Sequence, residues 1–419
     1  MKTVKRYVDE LVGAARDARR PLASASTAKK NEALLSCADA MLARADELAG
    51  ANAADIAAAR KARLGNAFLD RLTLSEARIR GLAEGLRTVG ALPDPVGRVL
   101  WGTRRPNGLS IRKVSVPIGV IFMIYESRPN VTAEAAGLCL KSGNPVILRT
   151  GREALQSSLA IHRLIADTIE NAGLPAGSVQ LVDTPDRAVV GELLGRDDAI
   201  DLVIPRGGKS LIRRVAEESS IPVIKHYEGI CHTFVDASAD VTMAVEVCMN
   251  AKVQRPGVCN AMETLLVHRG IARRFLPRLA KRMVSAGVEL RGCPRTRKIV
   301  RSVKAATERD WRTEYLAPIL SIRVVDSTEQ AIEHIETYGS AHSDAIITRD
   351  LASAALFERD VDSSAVFVNC STRFNDGGEF GMGAEIGIST DRLHARGPMG
   401  LEELTIYKYV VEGDGQVRS

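Results

Sequence analysis

Hydrophobic residues in the first 90 positions recur at three- and four-residue steps. Leu34, Ala38, Met41, Ala45 and Leu48 make an apolar stripe with polar residues opposite, the pattern of amphipathic helix. Thr73-Leu-Ser-Glu76 reads as a capping box opening a helix that carries Ile79, Leu82 and Leu86. Pro93-Asp-Pro95-Val-Gly97 ends this block. Gly108–Val116 then alternates in period two behind a Pro106-Asn-Gly108 turn, which predicts a hairpin arm.

From Val116 to His226 the pattern changes to short β-branched runs separated by helical ones. Strands are predicted at Val116–Tyr125, Pro145–Leu148, Val179–Val182, Ala199–Pro205 and Pro222–Lys225. Helices are predicted at Thr132–Leu140, Glu153–Asn171, Arg187–Leu194 and Lys209–Glu218. Nearly continuous apolar strands imply a parallel sheet covered on both faces, and repeated βα units imply a doubly wound α/β fold with its ligand site at the carboxyl ends of the strands. Residues 231–390 repeat the style less regularly, with a helix near Val241–Ala251 and strands near Thr264–Val267 and Ala365–Asn369. The tail, Glu403–Val411, is a strand without a hairpin partner nearby, so it is expected to pair with the 108–116 arm or with another subunit.

Composition narrows the class. The chain has 419 residues, 45% hydrophobic and 26% charged, but only 4% aromatic, so Ala and Val must fill much of the core. A net charge of +6 without a run of five Lys/Arg argues against nucleic acid and for anionic small molecules. The longest apolar run, Val116–Tyr125, is about half of a membrane crossing. The amino-terminal residues lack the apolar core of a secretory signal. Seven cysteines, none in C-x-x-C spacing, point to a reduced, cytoplasmic protein without a zinc knuckle.

Two motif readings fail. Arg206-Gly-Gly-Lys-Ser210 resembles the end of a phosphate loop, but Val203 stands where its first glycine belongs; the glycine turn still offers N–H groups to a phosphate. No G-x-G-x-x-G occurs. The sharpest positive feature is Gln254-Arg-Pro-Gly-Val-Cys259-Asn-Ala-Met-Glu-Thr264. A cysteine beside a Pro-Gly turn, with Arg255 near, is either a small core residue or an exposed thiolate nucleophile. Tyr125-Glu-Ser-Arg-Pro-Asn130 is either a plain helix start or a strand end where the Asn130 amide meets an oxyanion. Local sequence leaves both pairs of readings open.

The order of these segments, followed by Gly143-Asn-Pro-Val-Ile-Leu-Arg149, Glu314-Tyr-Leu-Ala-Pro318 and a glycine-rich Phe374–Gly387, resembles the aldehyde dehydrogenase superfamily. Val325–Ile346, Arg255–Thr264, Tyr125–Thr132 and Glu228-Gly-Ile-Cys-His232 are more narrowly similar to the gamma-glutamyl phosphate reductases. The resemblance implies two doubly wound Rossmann-like domains plus a small β oligomerisation arm. Residues 1–97 and 118–230 would bind NADP, 231–391 would be catalytic, and 98–117 with 392–419 would form the oligomerisation hairpin and tail. It implies NADPH-dependent reduction of L-glutamyl 5-phosphate, delivered by glutamate 5-kinase, in a homo-oligomer. Cys259 would be the nucleophile and Asn130 the oxyanion donor. Arg149 and Arg152 would meet the 2′-phosphate of NADPH, Gly207, Gly208 and Ser210 the pyrophosphate, and Glu314 the nicotinamide ribose. Arg255, His232 and His342 are the candidates for substrate contact. Where hydrolytic relatives carry a water-activating Glu-Leu-Gly-Gly, this chain has Glu228-Gly-Ile-Cys-His232, which fits an enzyme that keeps water off its thioester. The rival readings are a hydrolytic semialdehyde dehydrogenase and a non-catalytic relative that binds a metabolite or nucleic acid.

Overall fold

The structure, a computed structural model, describes residues 3–418. The chain divides into two compact units. The first comprises Met1–Lys225, Gly381–Gly387 and Met399–Ser419; the second comprises His226–Phe380 and Ile388–Pro398.

The first unit opens with helices Val4–Ala23, Thr27–Ala43, Ala45–Lys61, Asn66–Leu72 and Glu76–Ala91. The 34–48 stripe is split between two of them by a break at Arg44. Ser75, not Thr73, caps the Glu76–Ala91 helix by accepting from Arg78 N–H; Thr73 instead closes the preceding helix, donating its hydroxyl to Leu69 O. Next come β1 (Val99–Arg104) and β2 (Ser110–Pro117), an antiparallel hairpin. The tail strand Thr405–Glu412 pairs antiparallel with β2 along its whole length.

A four-stranded parallel sheet follows, made of β3 (Ile121–Tyr125), β4 (Val146–Arg149), β5 (Val179–Leu181) and β6 (Leu202–Arg206), in the order β5-β4-β3-β6. The apolar run Val116–Tyr125 is therefore two strands rather than one. The break is Gly119, which has φ +139° and would drive a Cβ to 2.0 Å from Asp201 Oδ2. That carboxylate accepts the N–H of Val120 at 2.7 Å, so only glycine fits here. Pro222–Lys225 makes only an isolated bridge to Val203, since Pro222 brings no N–H to a ladder. Val8, Leu11, Val12 and Ala15 of the first helix pack on Phe122, Ile124 and Ile147 of the sheet. Burial of each such large side chain stabilises by roughly 1.5–3 kcal/mol.

The second unit is a seven-stranded parallel sheet. Its strands are β7 (Cys231–Val235), β8 (Met262–His268), β9 (Glu289–Gly292), β10 (Lys304–Ala305), β11 (Ile319–Val325), β12 (Ser343–Ile347) and β13 (Ala365–Val368), in the order β10-β9-β11-β8-β7-β12-β13. Alternation sorts the residues of each strand to opposite faces. Leu265 and Val267 meet Phe275, Leu279 and Met283 on one side, while Leu266 joins Phe234, Ile346 and Phe357 on the other.

These units differ in places from the sequence-based ranges. The hairpin and tail, expected as a separate arm, group with the first unit: Asn144 Nδ2 donates to Leu404 O at 2.9 Å, tying the tail's entry to the sheet. Gly381–Gly387, expected in the catalytic part, also joins the first unit, where Arg206 Nη1 donates to Ile386 O at 2.7 Å. The first segment ends at Lys225 rather than 230. Among the described residues no helix is long and apolar enough to cross a membrane.

Candidate active site

In the second unit the chemistry gathers at the amino edge of the sheet. Cys231 opens β7, Cys259 precedes β8 and His342 immediately precedes β12, with His226 a few residues ahead of β7. Cys259 is partly exposed, on the turn after the helix Val241–Val253. Its Sγ and one ring nitrogen each of His226 and His342 all lie within 4.8 Å of one another. His226 Nδ1 donates to Ile388 O at 2.9 Å, which fixes its tautomer. His342 is fully buried, with Nδ1 2.8 Å from Ser343 Oγ, and that hydroxyl accepts from Asn375 Nδ2 at 2.7 Å.

The peptide of Cys259 is itself held. Cys231 Sγ–H donates to Cys259 O at 3.1 Å. Gly229 presses so closely on this peptide that a Cβ there would stand 1.9 Å from Cys259 O. Gly229 N–H in turn donates to Glu314 Oε1 at 2.9 Å, so Glu314 braces the segment that seats Cys259. Glu314 and Glu228 also line a cavity of ≈ 470 Å³ with Glu308, Arg309, Arg312 and Thr313, a size typical of small-molecule sites. Burial pushes the Cys231 thiol well above its ordinary range and Cys37 up to about 12, and raises Cys139 and Cys248 as well. These buried thiols are inert, whereas Cys259 is accessible.

One of the substrate candidates stands elsewhere. Cys231 and His232 are consecutive in a strand and face opposite ways. Since Cys231 looks toward Cys259, His232 looks away: it is fully buried with Nδ1 3.1 Å from Asp344 Oδ1. Assigning His232 to substrate contact is therefore corrected to a structural role. Arg255 is exposed at the turn. The guanidinium that feels Cys259 electrostatically also belongs to Arg373, whose pKa is drawn down by burial and by repulsion from Arg255, with Asp376 and Cys259 opposing. Arg373 Nε donates to Gln254 Oε1 at 2.8 Å, and Nη1 to Asn260 Oδ1.

In the first unit β3 lies between β4 and β6, so the strand order reverses at the β3/β6 carboxyl ends, where such sheets bind ligands. Ser127, just past β3, holds φ +42° with a full side chain, a strained conformation common at functional turns. Asn130 begins the helix Asn130–Lys141, and its Nδ2 spends one hydrogen on Glu134 Oε1 at 2.9 Å. Gly207 and Gly208 lead into the helix Lys209–Glu218, with Ser210 in its first turn, all exposed. Glu126 Oε2 accepts the Gly208 N–H at 2.8 Å and sits where a Cβ on Gly207 would intrude, at 2.7 Å. A carboxylate thus stands where an anionic phosphate oxygen would be received. Arg149, at the end of β4, has a buried Nε without a hydrogen-bond partner. Burial first, then Arg187 and Arg214, hold its guanidinium below the ordinary range, against Glu153 and Glu126. Three arginines thus gather near two glutamates around an unmet donor, an arrangement that would suit a phosphate group. Arg152 is 79% exposed and paired with Glu153 at 3.2 Å, which leaves Arg149 as the stronger candidate.

The sequence profile of the aldehyde dehydrogenase family matches residues 2–294 and 296–410. The chain is 57% identical over 414 residues to a protein named gamma-glutamyl phosphate reductase from Anaeromyxobacter sp. (strain Fw109-5), covering 98% of this chain and 96% of that one. The chain belongs to the aldehyde dehydrogenase family, within its gamma-glutamyl phosphate reductases. A second relative of that name, from Caldanaerobacter subterraneus, is 54% identical over 404 residues, covering 96% of this chain and 98% of its own. The crystal structure of the Thermotoga maritima gamma-glutamyl phosphate reductase superposes with a TM-score of 0.96 at 47% identity, covering 98% of this chain and 100% of that one.

Within this family member, sequence reasoning did not find His226, Cys231, Arg373, Asn260, Asn375, Glu126, Arg187 or Arg214. His226 closes a short apolar run and carries no motif. Cys231 was within reach, because strand alternation places it, and not His232, on the face toward Cys259.

Proposed function

We propose that this chain reduces L-glutamyl 5-phosphate to L-glutamate 5-semialdehyde with NADPH, releasing phosphate, as a step in proline biosynthesis. The observation that carries the reading is an accessible Cys259 with two imidazoles beside it, in a chain 57% identical to a protein named for this reaction. The Cys259 thiol proton passes to a neighbouring imidazole. The thiolate then attacks the acyl carbon, and the carbon–oxygen bond to phosphate breaks with its electron pair leaving on phosphate. When bound, NADPH supplies the hydride that takes the resulting thioester to the aldehyde level. The resemblance alone assigns Asn130 to the oxyanion, where such a donor is worth about 10²–10³ in rate. Collapse returns the electron pair to Cys259 sulfur. Glu314 and Gly229 hold the Cys259 peptide in place throughout.

Arg149 is the residue proposed to read the 2′-phosphate, with Gly207, Gly208 and Ser210 receiving the pyrophosphate once Glu126 gives up the Gly208 N–H. The Arg149→Ala variant should raise the KM for NADPH about 10- to 100-fold while leaving that for NADH nearly unchanged, the effect of losing one contact to an anion. Equal losses for both cofactors would make Arg149 structural.

A homo-oligomer is supported by the arm, where Val99, Leu100, Trp101, Ile406, Tyr407 and Tyr409 are exposed. A cytoplasmic location and supply by glutamate 5-kinase complete the proposal.

The deciding experiment runs the reaction backwards. The Glu-Leu-Gly-Gly that activates water in hydrolytic relatives is replaced here by Glu228-Gly229-Ile230-Cys231, and Gly229 is packed against the Cys259 peptide. Oxidation of the semialdehyde should therefore require phosphate or arsenate as acyl acceptor, with a single-turnover burst in their absence. Sustained release of glutamate in phosphate-free buffer would favour the hydrolytic reading.

A further inference from the structure

We propose that Cys259, His226 and His342 form a binding site for a thiophilic divalent cation of the zinc class, and that filling it switches the enzyme off by capping its nucleophile. The switching half rests on Cys259 being that nucleophile; the site itself does not.

The donor set is one thiolate and two imidazoles, which selects zinc, cobalt or copper over magnesium or calcium. Around a tetrahedral zinc, ligand atoms stand about 3.4–3.7 Å apart, given metal–nitrogen and metal–sulfur bonds of roughly 2.1 and 2.3 Å. The three donors here already lie within 4.8 Å of one another. Binding would close the remainder, and Cys259 and His226, both only partly buried, are the two ligands with room to move.

Both histidines carry the support that metal-binding histidines need. In each ring the described hydrogen bond is made at Nδ1, which points to Nε2 as the ligand atom. His226 Nδ1 donates to Ile388 O at 2.9 Å. His342 Nδ1 meets Ser343 Oγ at 2.8 Å, and Asn375 Nδ2 fixes that hydroxyl from the other side at 2.7 Å. A serine oxygen has two lone pairs, so it can accept from both, and in that arrangement His342 carries its proton on Nδ1 and keeps Nε2 as the ligand atom. The two rings meet edge to face, with centroids 5.5 Å apart and planes at 71°. Three protein ligands with two of them partly exposed leave a fourth position for water. Arg373, which also interacts with the Cys259 sulfur, is tethered to Gln254 and Asn260. A bound cation would take over from it as the thiolate's counter-charge.

The probe is cobalt(II), titrated into the full-length protein without thiol reductant. A thiolate-to-cobalt charge-transfer band should grow in the near ultraviolet and saturate at one equivalent. It should be absent in Cys259→Ser and form with an affinity at least about 10- to 100-fold weaker in His226→Asn and His342→Asn, with circular dichroism reporting that the variants are folded. Zinc should displace the cobalt, shield Cys259 from iodoacetamide and stop the reductase reaction, and a chelator should restore all three. A band that persists in Cys259→Ser, or an affinity unchanged in both histidine variants, overturns the site. No band in a protein whose Cys259→Ala variant is inactive also overturns the site while leaving the nucleophile standing. A normal band with undiminished turnover in zinc overturns the switch, and with it the nucleophile assignment.

Discussion

Cys259→Ala is expected to lose turnover on the order of 10⁶-fold, the scale seen when the nucleophile of a covalent mechanism is removed, while NADPH still binds and quenches as it does in the parent. The other thiols supply the controls. Cys37 lies in the helical core with its thiol pushed up to about 12 by burial, and Cys37→Ala should keep its catalytic rate. Cys293 is the more informative comparison. Burial opposes its ionisation, but hydrogen bonds from Thr296 and from the N–H groups of Val324 and Thr296 outweigh it and draw its pKa below the ordinary value. Alkylating reagents are therefore expected to label both Cys293 and Cys259, so labelling alone does not identify the nucleophile. Trapping the acyl-enzyme and locating the added mass by peptide mapping does. Recovery of the acyl group on any peptide other than the one containing Cys259, or a Cys259→Ala rate within tenfold of the parent, would sink the covalent mechanism as written.

The second large effect concerns stability. Lys252 and Glu263 form an ion pair at 2.5 Å with both side chains fully buried, and Glu263 Oε1 also accepts the N–H of Leu316 at 3.1 Å. Burial pushes the Glu263 carboxyl up to about 7 even against the pull of Lys252. Lys252→Met leaves that carboxylate without its cation and should cost about 3–5 kcal/mol, read as a lower urea midpoint. The pH dependence follows from linkage: a carboxyl whose folded pKa lies above its unfolded value binds more protons when folded, so its unfavourable contribution grows as pH rises through that interval. The deficit of Lys252→Met should accordingly be largest above neutrality and shrink at acidic pH, where Glu263 is protonated. The double variant Lys252→Met, Glu263→Leu should recover most of the loss, since two apolar side chains leave no buried charge. A double variant as unstable as the single one would show that the cost is packing, not charge.

Much of this architecture was legible because it obeys local rules. The helix Arg187–Leu194 carries its start in the Asp186 cap and Lys209–Glu218 in the glycine turn before it, and the parallel strands announce themselves as short β-branched runs. The Gly119 break was hidden because the constraint comes from Asp201, eighty-two positions away. The site divides in the same way. Cys259 stands out through its turn, and Arg149 through its place at a strand end. Arg373, Asn260 and Asn375 do not, because their roles exist only once Asn260 Nδ2 donates to Asn375 O at 2.9 Å and Arg373 closes on Asn260. Nor does the meeting of His226 with His342 follow from any spacing, since separate elements carry them to the sheet's amino edge. Hydrogen-bond networks built from distant segments leave no periodic trace.

The tail strand has a bearing on how the protein is made. Residues 405–412 pair with residues 110–117, so the hairpin waits for its third strand until nearly the whole chain has left the ribosome. Synthesis at about 5–20 residues per second separates the two partners by roughly 15–60 s. During that interval residues 226–380 emerge as one uninterrupted stretch and can fold, while β2 presents an unpaired edge. A nascent chain arrested before Thr405 should therefore be open to pairing with the tail of another copy, and exchange of tails between chains is the misassembly this topology invites.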